Sequence, residues 1–228
     1  MTELGKARRP DRAVPGLRTE PAVPGLRPDP AVPGLRPEAV VPVLADGTVT
    51  LRALTELDTD QLVHNCRDPE SVRWTKVPLD YAREDARSFI HDVVPQWWTD
   101  GSQQTFAVAD AATDALLGTI GLHAFRPGAA EVGINIGPHA RGRGVSERAA
   151  RLLLDYSFDQ LNLLYLHWRV LVPNWASRKL AWKLGFAFDA QVRGFADNRG
   201  TPADAWILTL ARDDGRRPVA QWDGPERP

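Results

Sequence analysis

The stretch EVGINIGPHARGRGVSERAA, residues 131–150, runs from alternating strand-like residues through a proline into an Arg-Gly-Arg-Gly turn and then into a helix. Gly142 and Gly144 stand where that helix starts. Glycine lowers helix stability, so two of them at a helix entrance mark a backbone that turns tightly or lets something approach closely. A helix start of this kind presents unpaired amide N–H groups and the positive end of the helix dipole, a combination that binds phosphate. Two phosphate-binding readings fail on the residues. A nucleotide-hydrolysing P-loop needs Gly-Lys-Ser/Thr, whereas Val145 and Ser146 follow Gly144. A dinucleotide fold needs a third glycine near Glu147 and a parallel sheet, and neither is evident.

Around this stretch the pattern alternates between strands and helices. TVTLRAL (48–54) alternates as a strand, and DTDQLVHNCRD reads as a short helix that Asp58 or Thr59 can cap. DPESVRWTKVPLD (68–80) reads as a loop, and residues 82–94 carry a helical stripe at Ala86, Phe89, Ile90 and Val93. QTFAVAD, LLGTIGLHAF and AEVGINIG follow as three strands with short turns, an antiparallel meander. The helix after Gly144 buries Val145, Ala149, Leu152, Leu153 and Tyr156. LLYLHWRVLV is a strand, WASRKLAWKL a helix, and FAFDAQVRGF with DAWILTLA a closing strand pair. The fold class is α+β.

Farther out, AVPGLR recurs at a period of nine from Ala13, Ala22 and Ala31. Recurrent Pro-Gly blocks helix and ladder alike, and each repeat buries too little apolar surface to offset ordering entropy. Residues 1–42 are therefore expected to be a disordered tail, residues 43–212 the folded domain, and residues 213–228 a flexible C-terminal tail with Trp222 as a tether. The chain has 228 residues, 43% hydrophobic, with a formal net charge of −1. That balance, with no aromatic stacking motif, argues against nucleic acid as a partner. The single cysteine, Cys66, excludes an intramolecular disulfide and fits a reducing, cytoplasmic setting. No apolar run reaches the roughly 20 residues that span a bilayer. His64, His91, His123 and His167 show no metal-ligand spacing, so no metal is expected.

A third phosphate reading remains, a pyrophosphate held by the turn amides while the rest of the ligand lies along a strand, as coenzyme A does. His139-Ala-Arg-Gly-Arg-Gly-Val, entered from an alternating strand, resembles the acyl-CoA loop of the GNAT superfamily of N-acyltransferases. About thirty residues on, Asn174-x-x-Ser177 followed by Leu184-Gly185-Phe186 resembles the second block of that superfamily, closest to its Rim-type branch, which acetylates ribosomal-protein N-termini. The resemblance covers roughly residues 47–212 and leaves out both tails. It implies a mixed, mostly antiparallel sheet of about six or seven strands flanked by about four helices and splayed at the acyl-CoA cleft. It also implies acetyl-CoA as cosubstrate and an amine acceptor, in a monomer or homodimer. Three positions depart from the family pattern: His139 replaces the loop's first Gln or Arg, Arg148 replaces a Rim-type glutamate, and Ala181 stands where many members carry a tyrosine proton donor.

The resemblance carries residue roles with it. Gly142, Gly144, Val145 and Ser146 are expected to hold the diphosphate, Arg141 and Arg143 to neutralise it or the 3′-phosphate, and Arg178 to contact the coenzyme. Pantetheine pairs with the preceding strand, where Gly133 and Gly137 fit a bulge and an amide around Asn135 or Ile136 polarises the thioester carbonyl. Glu131 deprotonates the amine or is an exposed strand-end carboxylate. Asn174 caps its helix and bonds pantetheine or a water. Ser177 is the candidate proton donor to the thiolate or an exposed structural serine. Arg148 and Arg151 read as a solvated face. The acceptor pocket is expected between the loop Trp74–Tyr81 and FADNRGTPAD. Trp74, Trp97 and Trp98 are candidate lining, and Asp80, Asp197 and Asp204 are candidate partners for a cationic amine.

Overall fold

The computed structural model describes residues 40–226. The expected disordered tail at 1–42 lies almost wholly outside these described residues. The pattern of alternation becomes eight strands: β1 (Leu44–Ala45), β2 (Val49–Arg52), β3 (Gln104–Asp110), β4 (Leu116–Arg126), β5 (Ala129–Ile136), β6 (Tyr165–Leu171), β7 (Ala187–Asn198) and β8 (Thr201–Ala211). They form one sheet in the order β1-β2-β3-β4-β5-β6-β8-β7. Every neighbouring pair is antiparallel except β5 and β6, which run parallel. The sheet exceeds the six or seven strands expected, and the two-residue edge strand β1 is too short to show a period in sequence.

The β5–β6 pairing decides what the sheet can do. Only Ala129, Ala130 and Glu131 pair, with Tyr165, Leu166 and His167. Beyond Glu131 the two strands part, while β5 stays paired with β4 as far as Ile136. The outer edge of β5 beyond the Val132 amide, as far as Ile136, is thus left without a strand partner.

A bulge in β4 controls which side chains meet at the start of that opening. Arg126 faces Ala129 across the hairpin turn, and continuing that register would place His123 opposite Val132. A shift between His123 and Arg126, where Ala124 takes a left-handed φ of 49°, places His123 opposite Glu131 instead. Because side chains alternate faces, this one-residue slip puts His123 and Glu131 on the same face. The bulge anticipated on β5 is therefore on β4. Gly133 and Gly137 answer close approaches instead. A Cβ at Gly133 would lie 3.3 Å from the His123 ring, and one at Gly137 would collide with the Asn65 side chain.

Helices cover both faces. α1 (Thr59–Arg67) leads into α2 (Pro69–Trp74), a helix inside the segment expected to be a loop. Its signals are in the sequence: Asp68 caps it by accepting from the Ser71 amide at 3.0 Å, and Pro69 occupies the first turn, where no N–H is missed. α3 (Arg83–Ser88) runs through a wider π turn at Phe89–Val93 into α4 (Val94–Asp100). α5 (Val145–Asp155) buries Val145, Ala149, Ala150, Leu153 and Leu154, the single stripe of a helix laid on a core. α6 (Trp175–Lys183) follows β6. Trp168, Phe106, Phe158 and Phe186 are the largest fully buried side chains.

The segment expected to be a flexible C-terminal tail is docked over its described part. Trp222 packs edge-on to Trp175 and tilted against Trp182, whose Nε1 donates to the Ala220 carbonyl at 2.8 Å. Asp223 pairs with the buried Arg178 at 2.7 Å. The tryptophans that hold this segment sit on α6, a pairing remote in sequence.

Candidate functional site

The parting of β5 and β6 opens a cleft of about 690 Å³, floored by both strands and roofed by α2. Ladder alternation fixes which β5 groups face it. The Gly137 amide donates to Leu117 of the β4 side, so odd-numbered β5 residues direct their main-chain groups toward β4. Val132, Ile134 and Ile136 direct theirs toward the opening, and Arg141 Nε donates to the Ile136 carbonyl there at 2.9 Å. Of the two amides expected to polarise a carbonyl, Ile136 faces the opening and Asn135 faces β4. The Asn135 side chain accepts from the Ser71 hydroxyl at 2.7 Å, which joins β5 to α2.

At the far end of this edge lies the glycine turn. Gly142 and Gly144 have φ of 73° and 76°, the left-handed region that favours glycine, and open space surrounds the Cβ position of each. These glycines are required by backbone conformation, not by crowding. Gly144 is the N-cap of α5, and its side chain cannot cap. Among the described residues, no backbone or side-chain acceptor takes the amides of residues 142–147. They are a row of donors at the positive end of a helix.

The sequence-predicted residues divide into two groups. Glu131, Asn135, Ile136, Arg141, Gly142, Ser146, Asn174 and Ser177 all line the cleft. Gly144 and Val145 flank it in the turn, with the Val145 side chain buried. Arg143 is exposed at the turn, its one hydrogen bond among the described residues running to the His139 carbonyl at 3.5 Å. Arg178 departs from expectation. It is turned away from the cleft and buried among the rings of Trp175, Phe188, Trp206 and Trp222, with Asp223 as its counter-ion. The other basic residues are also engaged: Arg141 with Asp68 at 2.6 Å, Arg148 with Asp46 at 2.9 Å, and Arg151 with Glu147 at 2.9 Å.

Asn174 caps α6, its Oδ1 accepting from the Ser177 amide at 3.1 Å. The Ser177 hydroxyl accepts from Trp168 Nε1 at 3.0 Å, which leaves its own proton free to be donated. Ala181 is fully buried and does not border the cleft.

The acceptor-side expectations are partly corrected. Lys76, in the loop after α2, pairs with Asp197 at 2.9 Å. Arg199, at the tip of the β7–β8 hairpin, donates to the carbonyls of Val72, Thr75 and Val77. The two segments expected to border a pocket therefore grip each other. Trp74 and Trp97 line the cleft, whereas Trp98 is buried in the core with its Nε1 on the Thr105 carbonyl. Asp80, Asp197 and Asp204 do not line the cleft. Asp197 holds Lys76 and the Gly200 amide, and Asp204 holds the Gly194 amide.

Sequence reasoning missed the cluster around Glu131. The carboxylate is buried, with Arg126 donating to Oε1 at 2.9 Å and Arg169 standing 3.0 Å from Oε2. The Arg169 approach is too bent for a hydrogen bond, so buried Oε2 has an ionic partner but no donor. His123 Nε2 lies 3.8 Å from that oxygen. Burial pushes the His123 imidazole below its usual value, with Arg169 acting the same way and Glu131 opposing. Strand alternation alone would have put His123 on one face, but its partner depends on the bulge. Burial drives the Cys66 thiol up to about 12, which removes it as a nucleophile. Among the described residues, no cluster of His, Cys, Asp or Glu is arranged to hold a metal, and no helix is long and apolar enough to cross a membrane.

Comparison with known proteins agrees with this geometry. The family model described as an acetyltransferase (GNAT) domain matches residues 48–187, more than half of the chain. The uncharacterized N-acetyltransferase p20 of Bacillus licheniformis is 27% identical over 166 residues, 72% of this chain and 93% of that protein. The spermidine N(1)-acetyltransferase of Escherichia coli K12 is 30% identical over 149 residues, 64% of this chain and 76% of that protein. Among solved structures, the ribosomal L7/L12 α-N-protein acetyltransferase RimL in complex with coenzyme A superposes with a TM-score of 0.66 at 16% identity, covering 75% of this chain and 98% of that one. The ribosomal-protein-S5-alanine acetyltransferase of Vibrio fischeri gives 0.63 at 18%, covering 77% and 99%. With a sheet split after three parallel pairs and a glycine-led helix beside the split, the chain belongs to the GNAT acetyltransferase family and is an N-acetyltransferase.

Proposed function

We propose that the chain transfers the acetyl group of acetyl-CoA directly to the α-amine of a peptide N-terminus, without a covalent enzyme intermediate. The observation that carries this reading is the open edge of β5 from Val132 to Ile136, which connects the Glu131 cluster to the glycine turn. Pantetheine contains amides, and they pair with the outward main-chain groups left open on this edge, the Val132 carbonyl, both groups of Ile134 and the Ile136 amide, as a neighbouring strand would. Its diphosphate then meets the amides of residues 142–147, with Arg143 beside them. An edge amide donating to the thioester carbonyl stabilises the charge that grows there during attack. Asn174 orients the pantetheine arm, and the Ser177 hydroxyl, already accepting from Trp168, donates its proton toward the departing thiolate.

A peptide N-terminus is favoured over a polyamine by local charge. Arg126 and Arg169 face the single carboxylate of Glu131, so this end of the cleft repels a polycation. Arg169 also has guanidinium N–H groups left to meet the first peptide carbonyl. The test is a panel of amines with a free-thiol readout. Short peptides with Ala, Ser or Met termini are expected to release CoA, and spermidine and aminoglycosides to release little. A reversed preference would reassign the acceptor. Saturable CoA binding without thiol release on any acceptor would support a non-catalytic acyl-CoA-binding role, which Ala181 at the tyrosine position makes the second reading.

A further inference from the structure

We propose that His123 is the catalytic base that takes the proton from the acceptor amine, with Glu131 acting through it as a positioning residue. The proposal rests on the acyl-transfer reading above. It is carried by three observations about the start of the cleft.

Access comes first. Glu131 is the carboxylate at this point, but its Oε1 is held by Arg126 and its Oε2 is buried. One oxygen is thus already engaged by a cation and the other is shielded from the cleft, so an entering amine meets the ring of His123 more readily than the carboxylate. His123 lines the cleft, with about a third of its side chain exposed, and its ring takes part in no hydrogen bond among the described residues. Room comes second. The imidazole lies over Gly133, with Cε1 and Nδ1 at 3.3 and 3.4 Å from where a Cβ would stand, so any larger residue there would displace the ring. The third is register. The left-handed Ala124 and its bulge are what bring His123 opposite Glu131, and a non-glycine residue in that conformation is a strain that the surrounding structure maintains.

The chemistry follows from the two ring nitrogens. Nε2 faces the donor-less Oε2 of Glu131 at 3.8 Å, which favours the tautomer carrying its proton on Nε2. Nδ1, over Gly133 and the opening edge of β5, then holds the lone pair. The acceptor arrives as an ammonium and gives one proton to Nδ1, forming an imidazolium that faces the Glu131 carboxylate. The freed nitrogen lone pair attacks the thioester carbon. The C–N bond forms, the C–S bond breaks, and the second N–H proton balances the departing thiolate. The imidazolium returns its proton to water at the cleft mouth.

The charges facing His123 are Glu131 from β5, Arg169 from β6 and Arg126 from its own strand. From the α3–α4 segment the cleft receives only Phe89 and Trp97, which carry none. Glu70 and Lys76, on the α2 side, are already engaged by Trp74 Nε1 and Asp197. Imidazole burial keeps the ring neutral, and so able to accept a proton, at neutral pH.

The experiment measures thiol release from acetyl-CoA with the best acceptor of the panel, from pH 5 to 9, for the wild type, H123A, H123Q and E131Q. The wild type is expected to gain activity with rising pH and to level off, its inflection below the ordinary histidine value. H123A and H123Q should lose about a hundredfold or more in kcat with little change in the KM for acetyl-CoA, and should lose the acidic limb. Added imidazole should restore part of the H123A rate. E131Q should move the inflection to lower pH, since Glu131 stabilises the imidazolium. Acetyl-CoA-induced thermal stabilisation of each variant separates lost chemistry from lost folding. H123A and H123Q with wild-type kcat and profile would overturn the proposal alone. A wild type that turns over no amine would overturn it together with the acyl-transfer reading.

Discussion

Arg141 reaches back from the glycine turn to Asp68, Nη2 to Oδ2 at 2.6 Å, while its Nε holds the Ile136 carbonyl at 2.9 Å. One guanidinium thus ties together the end of β5, the turn before α5 and the entrance of α2. Asp68 has two roles in this knot, as counter-ion and as N-cap of α2. Burial raises its carboxyl, but Arg141 and the Ser71 amide outweigh that and hold it below the usual carboxylate range. A carboxylate depressed in the folded state contributes stability above its unfolded value and loses it as pH falls through its folded value. D68N is therefore expected to cost about 1–3 kcal/mol at pH 7. The gap from the wild type should begin to narrow below about pH 4 and close only as the pH passes below the depressed folded value. Urea unfolding at a series of pH values from 7 down to 2 checks both statements.

Ala124 holds a backbone conformation that costs an L-residue about 1–2 kcal/mol. Replacing it with glycine should keep the bulge and raise stability by up to about 1 kcal/mol, whereas valine should lower it and weaken the His123–Glu131 alignment. Chemical denaturation of A124G and A124V gives the stabilities, and their kcat values report the alignment. A destabilised A124G would mean that the bulge is not held by the rest of the hairpin.

Gly144 has open space around it, so G144A adds no clash and tests conformation alone. The expected cost is about 1–2 kcal/mol from the left-handed φ. Acetyl-CoA affinity should fall further than stability does, because the turn amides lose their common direction. Calorimetric titration with CoA beside a thermal melt separates the two effects.

Arg199 fastens the β7–β8 hairpin to the carbonyls at the end of α2. R199A should loosen this clasp over the acceptor side without touching the coenzyme side. The expected result is a several-fold rise in the KM for the amine with the KM for acetyl-CoA unchanged. Steady-state kinetics with each substrate varied in turn would show it.

Much of this was readable from residues with local signatures. The glycines at 142 and 144, the Asn174 cap and the alternation of β3 to β6 each follow from short-range rules, so the turn, the helix start and the meander were foreseeable. The α2 helix was foreseeable too, since Asp68-Pro69 is a helix-start signal. What was not legible depends on contacts distant in sequence. Arg178 looks like a loop-adjacent cation until Trp222 and Asp223 fold back over it. The pairing of His123 with Glu131 depends on a single bulged residue, Ala124, whose sequence carries no glycine to announce it. Arg141 looks free until Asp68, 73 residues away, takes it.

Besides its two outer rims at β1 and β7, the sheet has an open margin on the inside. An exposed strand margin on the outer rim of a protein invites stray chains to add on, and natural sheets blunt such rims with charge or brevity. Here the gap between β5 and β6 is a slot in the middle of the sheet, walled by α2 above and closed at one end by three rungs. In the acyl-transfer reading, the arm that enters this slot carries its own amides and meets main-chain groups on one side only. Where the two strands let go of each other therefore sets how much of such an arm the sheet can pair with.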